Sequence, residues 1–308
     1  MIGAICPLCH ELTKVVLTST LRRGVGTVFH CEHCDLGFLI GERNGDDYYR
    51  SQYRDEVSHR AEGGATTPQE IFDTYTKYQG GRLALAQERI QLGGSILELG
   101  ASAGQFITLF GGCRRCAIEP DPRCCRFMEA AGIETDSNYL LNSRFYQEKF
   151  DVVCAFQTLE HTDNPLAFLK EVKHVMKPGG VAFIEVPNRY EPLLSVWDIP
   201  EYVRFYYHAQ HLFYFTSRSL QAYAKKAGFE KMQIKFTQDY NLLSHIHWLM
   251  NKTPQPTCHI GLGPVAFKGK DSGMASWLSH KLAALNEEYV SMLVDSGQTS
   301  NLTLILTN

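Results

Sequence analysis

From residue 95 onward, short apolar runs alternate with amphipathic ones, and this constrains the fold more than any other feature of the chain. SILEL, CAIE, FDVVCAF, VAFIEV and FEKMQIKF read as buried strands. DPRCCRFMEAAG, DNPLAFLKEVKHVM and TSRSLQAYAKKAGF read as helices between them, the last two closed by Lys177-Pro178-Gly179-Gly180 and by Gly228. Alternation of this kind predicts a parallel sheet wound on both faces, an α/β architecture of doubly wound, Rossmann-like type. The segment NLTLILT, residues 301–307, is a further strand pattern and must pair with something. The expectation is an antiparallel strand joining the main sheet, which makes residues 238–300 an insertion, helical around LLSHIHWLM and SWLSHKLAALNEEYVSMLV.

Upstream, residues 1–45 form a cysteine-paired module and residues 46–94 a helical linker region. The linker begins with DDYYRSQYRDE and a glycine-containing loop. Thr67-Pro68-Gln69-Glu70 then has the form of a capping box with proline at the first helical position. A break is expected at Gly80-Gly81. The core is thus read as 95–237 plus 301–308.

Net charge is -3 over 308 residues, which argues against nucleic acid as a partner. There is no apolar run long enough to span a bilayer. MIGAICPLCHE lacks the basic start and apolar stretch of a signal peptide. A cytoplasmic location is expected, in which the ten cysteines stay reduced. Cys6-x2-Cys9 and Cys31-x2-Cys34 have the spacing of two knuckles that supply four thiolates to a closed, structural zinc site. His10, His30 and His33 lie close enough to replace a thiolate. Cys113, Cys116, Cys124 and Cys125 read as core or surface thiols.

The loop LELGASAG, residues 97–104, decides the cofactor. A pyrophosphate fingerprint needs glycine at positions 102 and 105, where this chain has Ser102 and Gln105. S-adenosylmethionine carries no phosphate. Gly100 and Gly104 would keep the turn close to it, and small Ala101, Ser102 and Ala103 suffice between them. Glu98 would meet its ammonium group. Glu119, at the end of the next strand, would accept from both ribose hydroxyls.

With those residues in view, the chain resembles class I S-adenosylmethionine-dependent methyltransferases. ILELGASAGQF, CAIEPDP, FDVVCAFQTLEHTDNP, LKEVKHVMKPGGVAFIEVPN and HLFYFTSRSLQAYAKKAGFE carry the likeness. It implies a seven-stranded sheet of order 3-2-1-4-5-7-6. It also implies cofactor contacts from Pro120, from Phe156 and Gln157, and from an acid after the third strand, for which Asp136 is the candidate. His161 lies where acceptor meets cofactor and is either a base or a brace for the loop.

Methyl transfer often requires a base beside the acceptor. YVRFYYHAQHLFYFT offers Tyr207, His208 and His211. The whole chain, with its paired cysteines, also resembles sugar methyltransferases of bacterial antibiotic and surface-polysaccharide pathways. Where their C-methylating members have Tyr-His-Glu-His, this chain has His208-Ala209-Gln210-His211. The expected activity is therefore O- or C-methylation of a small hydroxylated metabolite, a sugar or nucleotide-linked sugar. RNA methylation with the zinc module gripping nucleic acid, and a non-catalytic scaffold, are the alternatives. His245 and Trp248 share a helix face that would serve as a lid or sugar-stacking surface, as packing, or as a dimer contact.

Overall fold

The computed structural model describes residues 3–42, 45, 47–53 and 67–308. Arg43, residue 46 and residues 54–66, which include the glycine-containing loop of the linker, lie outside the described residues.

The amino-terminal module holds a hairpin, β1 (Ala4–Ile5) with β2 (Leu12–Thr13), and an antiparallel ribbon of β3 (Val15–Thr18), β4 (Gly26–Cys31) and β5 (Leu36–Gly41). A single helical turn follows at Tyr48–Gln52. Helix α1 (Pro68–Tyr75) starts at the expected capping box: Glu70 N–H donates to Thr67 Oγ1 at 3.3 Å, and Thr67 N–H donates to Glu70 Oε2 at 3.0 Å. The chain breaks before Gly80, and α2 (Gly80–Ala86) begins there.

The core then runs β6 (Ser95–Leu99), β7 (Arg114–Ile118), α3 (Pro122–Ala130), β8 (Glu134–Asp136), β9 (Phe150–Phe156), α4 (Pro165–Val175) and β10 (Met176–Pro187). It continues with α5 (Pro192–Ser195), α6 (Pro200–Tyr206), β11 (Phe213–Tyr214), α7 (Ser217–Lys226) and β12 (Lys231–Thr237). Three helices, α8 (Leu242–Asn251), α9 (Cys258–Leu262) and α10 (Ser272–Ser296), fill the expected insertion before β13 (Asn301–Thr307). The seven-stranded sheet has the order β8-β7-β6-β9-β10-β13-β12. β13 is antiparallel to both neighbours, with Leu302, Leu304 and Leu306 fully buried. This is the anticipated order, closed by the anticipated strand.

Alternate residues along the strands build two cores. Ile96, Val152, Cys154 and Phe183 pack beneath Ala86, Phe106 and Ile107 on one face. Leu97, Val153, Ala155 and Ile184 pack against α4 and α7 on the other. That second core continues without a gap into Val28, Leu36 and Phe38 of the module.

The segment after Gly104 is a run of turns and one 3-10 turn, Ile107–Leu109, because Gly111-Gly112 cuts it too short for a longer helix. Of the roles left open for its helix face, packing is the one Trp248 takes. It is 5% exposed and packs edge-on against Tyr202 at 4.9 Å, while His245 Nδ1 meets the Tyr289 hydroxyl at 2.6 Å. That helix face is a packing element.

Candidate active site

A cleft of about 530 Å³ opens at the carboxyl ends of β6, β7 and β9, the edge at which parallel sheets of this type bind ligands. Its walls include Gly100, Ser102, Glu119, Pro120, Phe156, Gln157 and His161. All seven are among the residues anticipated from sequence.

The glycine-containing loop is shaped by three left-handed residues at alternate positions, Gly100 (φ 73°), Ser102 (φ 55°) and Gly104 (φ 76°). Serine adopts this conformation at a cost that glycine does not have. Here the Ser102 N–H is held by Glu119 Oε2 at 2.7 Å, and the other oxygen of Glu119 accepts from Asp121 N–H at 3.1 Å. These two bonds fix the carboxylate on the cleft wall and leave it lone pairs for further donors. Gly100 is also required sterically: a Cβ there would lie 2.4 Å from Thr158 Oγ1.

Other anticipated residues sit elsewhere. The side chains of Glu98 and Ala101 are buried, and burial pushes the Glu98 carboxyl up to about 8. Gly104 packs on Met128. Asp136 does not reach the cleft. Its oxygens accept from the backbone N–H groups of Asn138 and Arg144, and Tyr139 and Leu140 line the wall instead.

His161 follows β9, and its Nδ1 lies 2.8 Å from the Gln210 carbonyl oxygen. A carbonyl only accepts, so Nδ1 carries the proton and Nε2 is left as the acceptor. Desolvation pushes His161 down to about 4. His211 packs edge-on to it at 4.8 Å between ring centroids, and the His208 ring lies 3.9 Å from that of His211. Both are held well below the usual histidine range, chiefly by burial. Tyr207 is buried against Tyr206 and Tyr214. None of these three lines the cleft.

Several functional-looking residues carried no signal that the sequence reading used. Glu160 is fully buried, its Oε1 lies 3.9 Å from Nε2 of both His161 and His211, and burial pushes it up to about 8. Tyr49 and Tyr53 line the cleft with their rings edge-on to His161. Deeper along the sheet edge, Arg82 Nε donates to Glu185 Oε1 at 3.0 Å, and its guanidinium lies 4.7 Å over the Phe156 ring.

A family model described as a methyltransferase domain matches residues 72–234, more than half of the chain. The chain belongs to the methyltransferase family. A ubiquinone biosynthesis O-methyltransferase from Actinobacillus pleuropneumoniae is 31% identical over 104 residues, 32% of this chain and 43% of that protein. The mitochondrial protein of the same name from Dictyostelium discoideum is 38% identical over 58 residues, 17% of this chain and 18% of its own length. The chain thus spans less than half the length of these curated relatives. An S-adenosylmethionine-dependent methyltransferase from Thermotoga maritima, described as a possible histamine N-methyltransferase, shares the fold at a TM-score of 0.50 and 16% identity, over 83% of this chain and 97% of that one. One from Archaeoglobus fulgidus gives 0.50 and 15%, over 78% and 97%.

The fold shared with solved S-adenosylmethionine-dependent methyltransferases and the loop chemistry support S-adenosylmethionine as the cofactor. The residues fit that cofactor: a carboxylate fixed by two amides, a loop too substituted for a pyrophosphate, and aromatic walls share one cleft. Among the described residues no helix is long and apolar enough to cross a membrane.

The methyltransferase carries its four paired cysteines at a distance from the cleft. The sulfurs of Cys6, Cys9, Cys31 and Cys34 all lie within 4.8 Å of one another, with Cys6–Cys34 at 3.5 Å and Cys9–Cys31 at 3.4 Å. The residue after each pair, His10 (φ 65°) or Asp35 (φ 62°), is left-handed, which turns the chain back around the sulfurs. His30 is turned away onto Asp35 at 3.0 Å. The cluster fits a four-thiolate metal site.

The module also reaches the active site through the backbone. Strand β11 pairs with β5. Arg22 N–H donates to the Tyr207 carbonyl, Ala209 N–H to Arg23 and Leu39 N–H to Leu212, at 2.8, 3.1 and 2.9 Å. Leu212 N–H in turn donates to the Glu160 carbonyl at 2.8 Å. Segment 207–212 is therefore clamped between the module and the end of β9.

Proposed function

We propose that this methyltransferase transfers the methyl group of S-adenosylmethionine to a hydroxyl of a small ring-shaped acceptor, with a sugar or nucleotide-linked sugar as the first candidate class. The observation that carries this reading is His161, a neutral imidazole on the cleft wall whose tautomer is set by the Gln210 carbonyl. The cofactor supplies an electrophilic methyl on a sulfonium. Glu119, Ser102 and Pro120 hold and orient it. Tyr49, Tyr53 and Phe156 offer aromatic surface against which a ring packs. His161 Nε2 would take the proton of the acceptor hydroxyl. His211 and Glu160 pack beside His161, burial keeps it neutral, and the Gln210 carbonyl holds it in place. The names of the curated relatives, O-methyltransferases of ubiquinone biosynthesis, support oxygen as the acceptor atom and make a phenol the second candidate class. Zinc held by Cys6, Cys9, Cys31 and Cys34 is structural, since four thiolates leave no position for water.

The test is direct. Purified protein and S-adenosylmethionine are incubated with a panel of free and nucleotide-linked deoxysugars and a panel of catechols, and products are read by mass spectrometry and NMR. An O-methylated ring compound is expected. His161→Ala should lower kcat by about 10²–10⁴ while leaving the KM for S-adenosylmethionine in place. Methylation of RNA, or of carbon alone, would refute the reading.

A further inference from the structure

Helix α10 is inside out for a monomer. The face turned toward the protein is fastened by polar contacts. The Tyr289 hydroxyl accepts from Trp197 Nε1 and meets His245, Asn286 Oδ1 accepts from Leu242 N–H, and Ser279 Oγ accepts from Phe267 N–H. Of its side chains, Leu293 alone is counted as buried. The opposite face carries the large apolar groups: Met274, Trp277 and Met292 are 62%, 57% and 70% exposed. Along it, Met274, Leu278, Lys281, Leu285, Glu288, Met292 and Asp295 follow one another at alternating intervals of four and three residues. These positions form one outward stripe along the 25-residue helix, with Met274, Leu278, Leu285 and Met292 apolar and Lys281, Glu288 and Asp295 charged. Several large apolar groups exposed along one face mark an interaction site.

The charges on the stripe identify the partner. We propose that α10 pairs antiparallel with α10 of a second copy of this chain, about a two-fold axis passing between Ala284 and Leu285. In that register Lys281 faces Glu288 of the partner subunit, and Trp277, beside the stripe, lies level with Met292 of the partner subunit. The two-fold axis repeats each contact, so one sequence supplies both halves of every pair. A parallel pairing would set Lys281 against itself and Glu288 against itself. The helix is about 37 Å long, enough for five layers of side chains along the stripe.

Sedimentation velocity on the full-length protein tests this. The wild type is expected to be dimeric at micromolar concentration. Lys281→Glu and Glu288→Lys each convert two attractive pairs into repulsive ones and should each raise the dimer dissociation constant about ten-fold or more. The double variant Lys281→Glu/Glu288→Lys restores both pairs and should return the constant to near that of the wild type. All four positions of the proposed pairs are exposed, and S-adenosylmethionine affinity measured in parallel reports that each variant is folded. A monomeric wild type at about 100 µM would overturn the proposal, whether or not the protein then binds vesicles or another protein. So would a double variant no tighter than the single ones.

Discussion

The backbone N–H of Ser102 donates to Oε2 of Glu119 across 2.7 Å, tying the cofactor loop to the acid at the end of the next strand. The two halves of the expected cofactor site are one hydrogen-bonded unit. Glu119→Gln should therefore affect both. Charge-assisted bonds are worth about 1.5–3 kcal/mol, so the dissociation constant for S-adenosylmethionine should rise roughly 10- to 100-fold. Calorimetry reads this; unchanged affinity would remove Glu119 from the site.

Gly100→Ala should be destabilising for two separable reasons. The backbone sits at φ 73°, and the new Cβ would meet Thr158 Oγ1 at 2.4 Å. The strain alone costs about 1–3 kcal/mol. Adding Thr158→Ala removes the clash but not the strain, so the double variant should recover part of the lost stability in urea unfolding. Full recovery would mean that the left-handed backbone costs nothing here.

What the sequence disclosed follows the range of the interactions involved. The main sheet was legible because each strand and helix carries its own periodicity, and NLTLILT had no other way to satisfy its backbone. The cysteine pairs and the acid at 119 were legible from spacing. The pairing of β11 with β5 was not, since Phe213 and Phe38 lie far apart in sequence and neither segment declares its partner. Glu160 was passed over for the same reason: its meaning depends on His211, which only folding brings to it. Arg82 and Glu185 lie on different elements and announce nothing to each other. The inverted face of α10 escaped notice because an apolar stripe on a helix reads as core until the structure shows which side is covered.

Removing the metal should reach the active site. One zinc per chain is expected by elemental analysis, lost in Cys6→Ser and Cys34→Ser. Since β5 pairs with β11 and the module clamps residues 207–212, the metal-free protein should melt on the order of 10 °C lower and also lose activity. Circular dichroism and turnover measured on the same samples check this. Full activity in a zinc-free variant would show that the module and the cleft are independent.

The stability of the protein should fall as the solution becomes alkaline, in part through Glu160. Its carboxyl is buried, neither oxygen has a hydrogen-bond partner among the described residues, and desolvation pushes it up from 4.5 to about 8. Between those values the folded protein holds a proton that the unfolded chain releases. The contribution is thus fully present below about pH 4.5 and is lost as the pH rises through 8. His161, His208 and His211 act in the opposite sense: held low by burial, they contribute stability above about 6.5 that is lost as the pH falls. Glu160→Gln keeps a neutral group of the same shape and cannot ionise. Measured by urea unfolding at pH 5, 6.5 and 8, the variant should lose less stability than the wild type across this range, by on the order of a few kcal/mol. Parallel curves for the two proteins would show that Glu160 is ionised in the folded state.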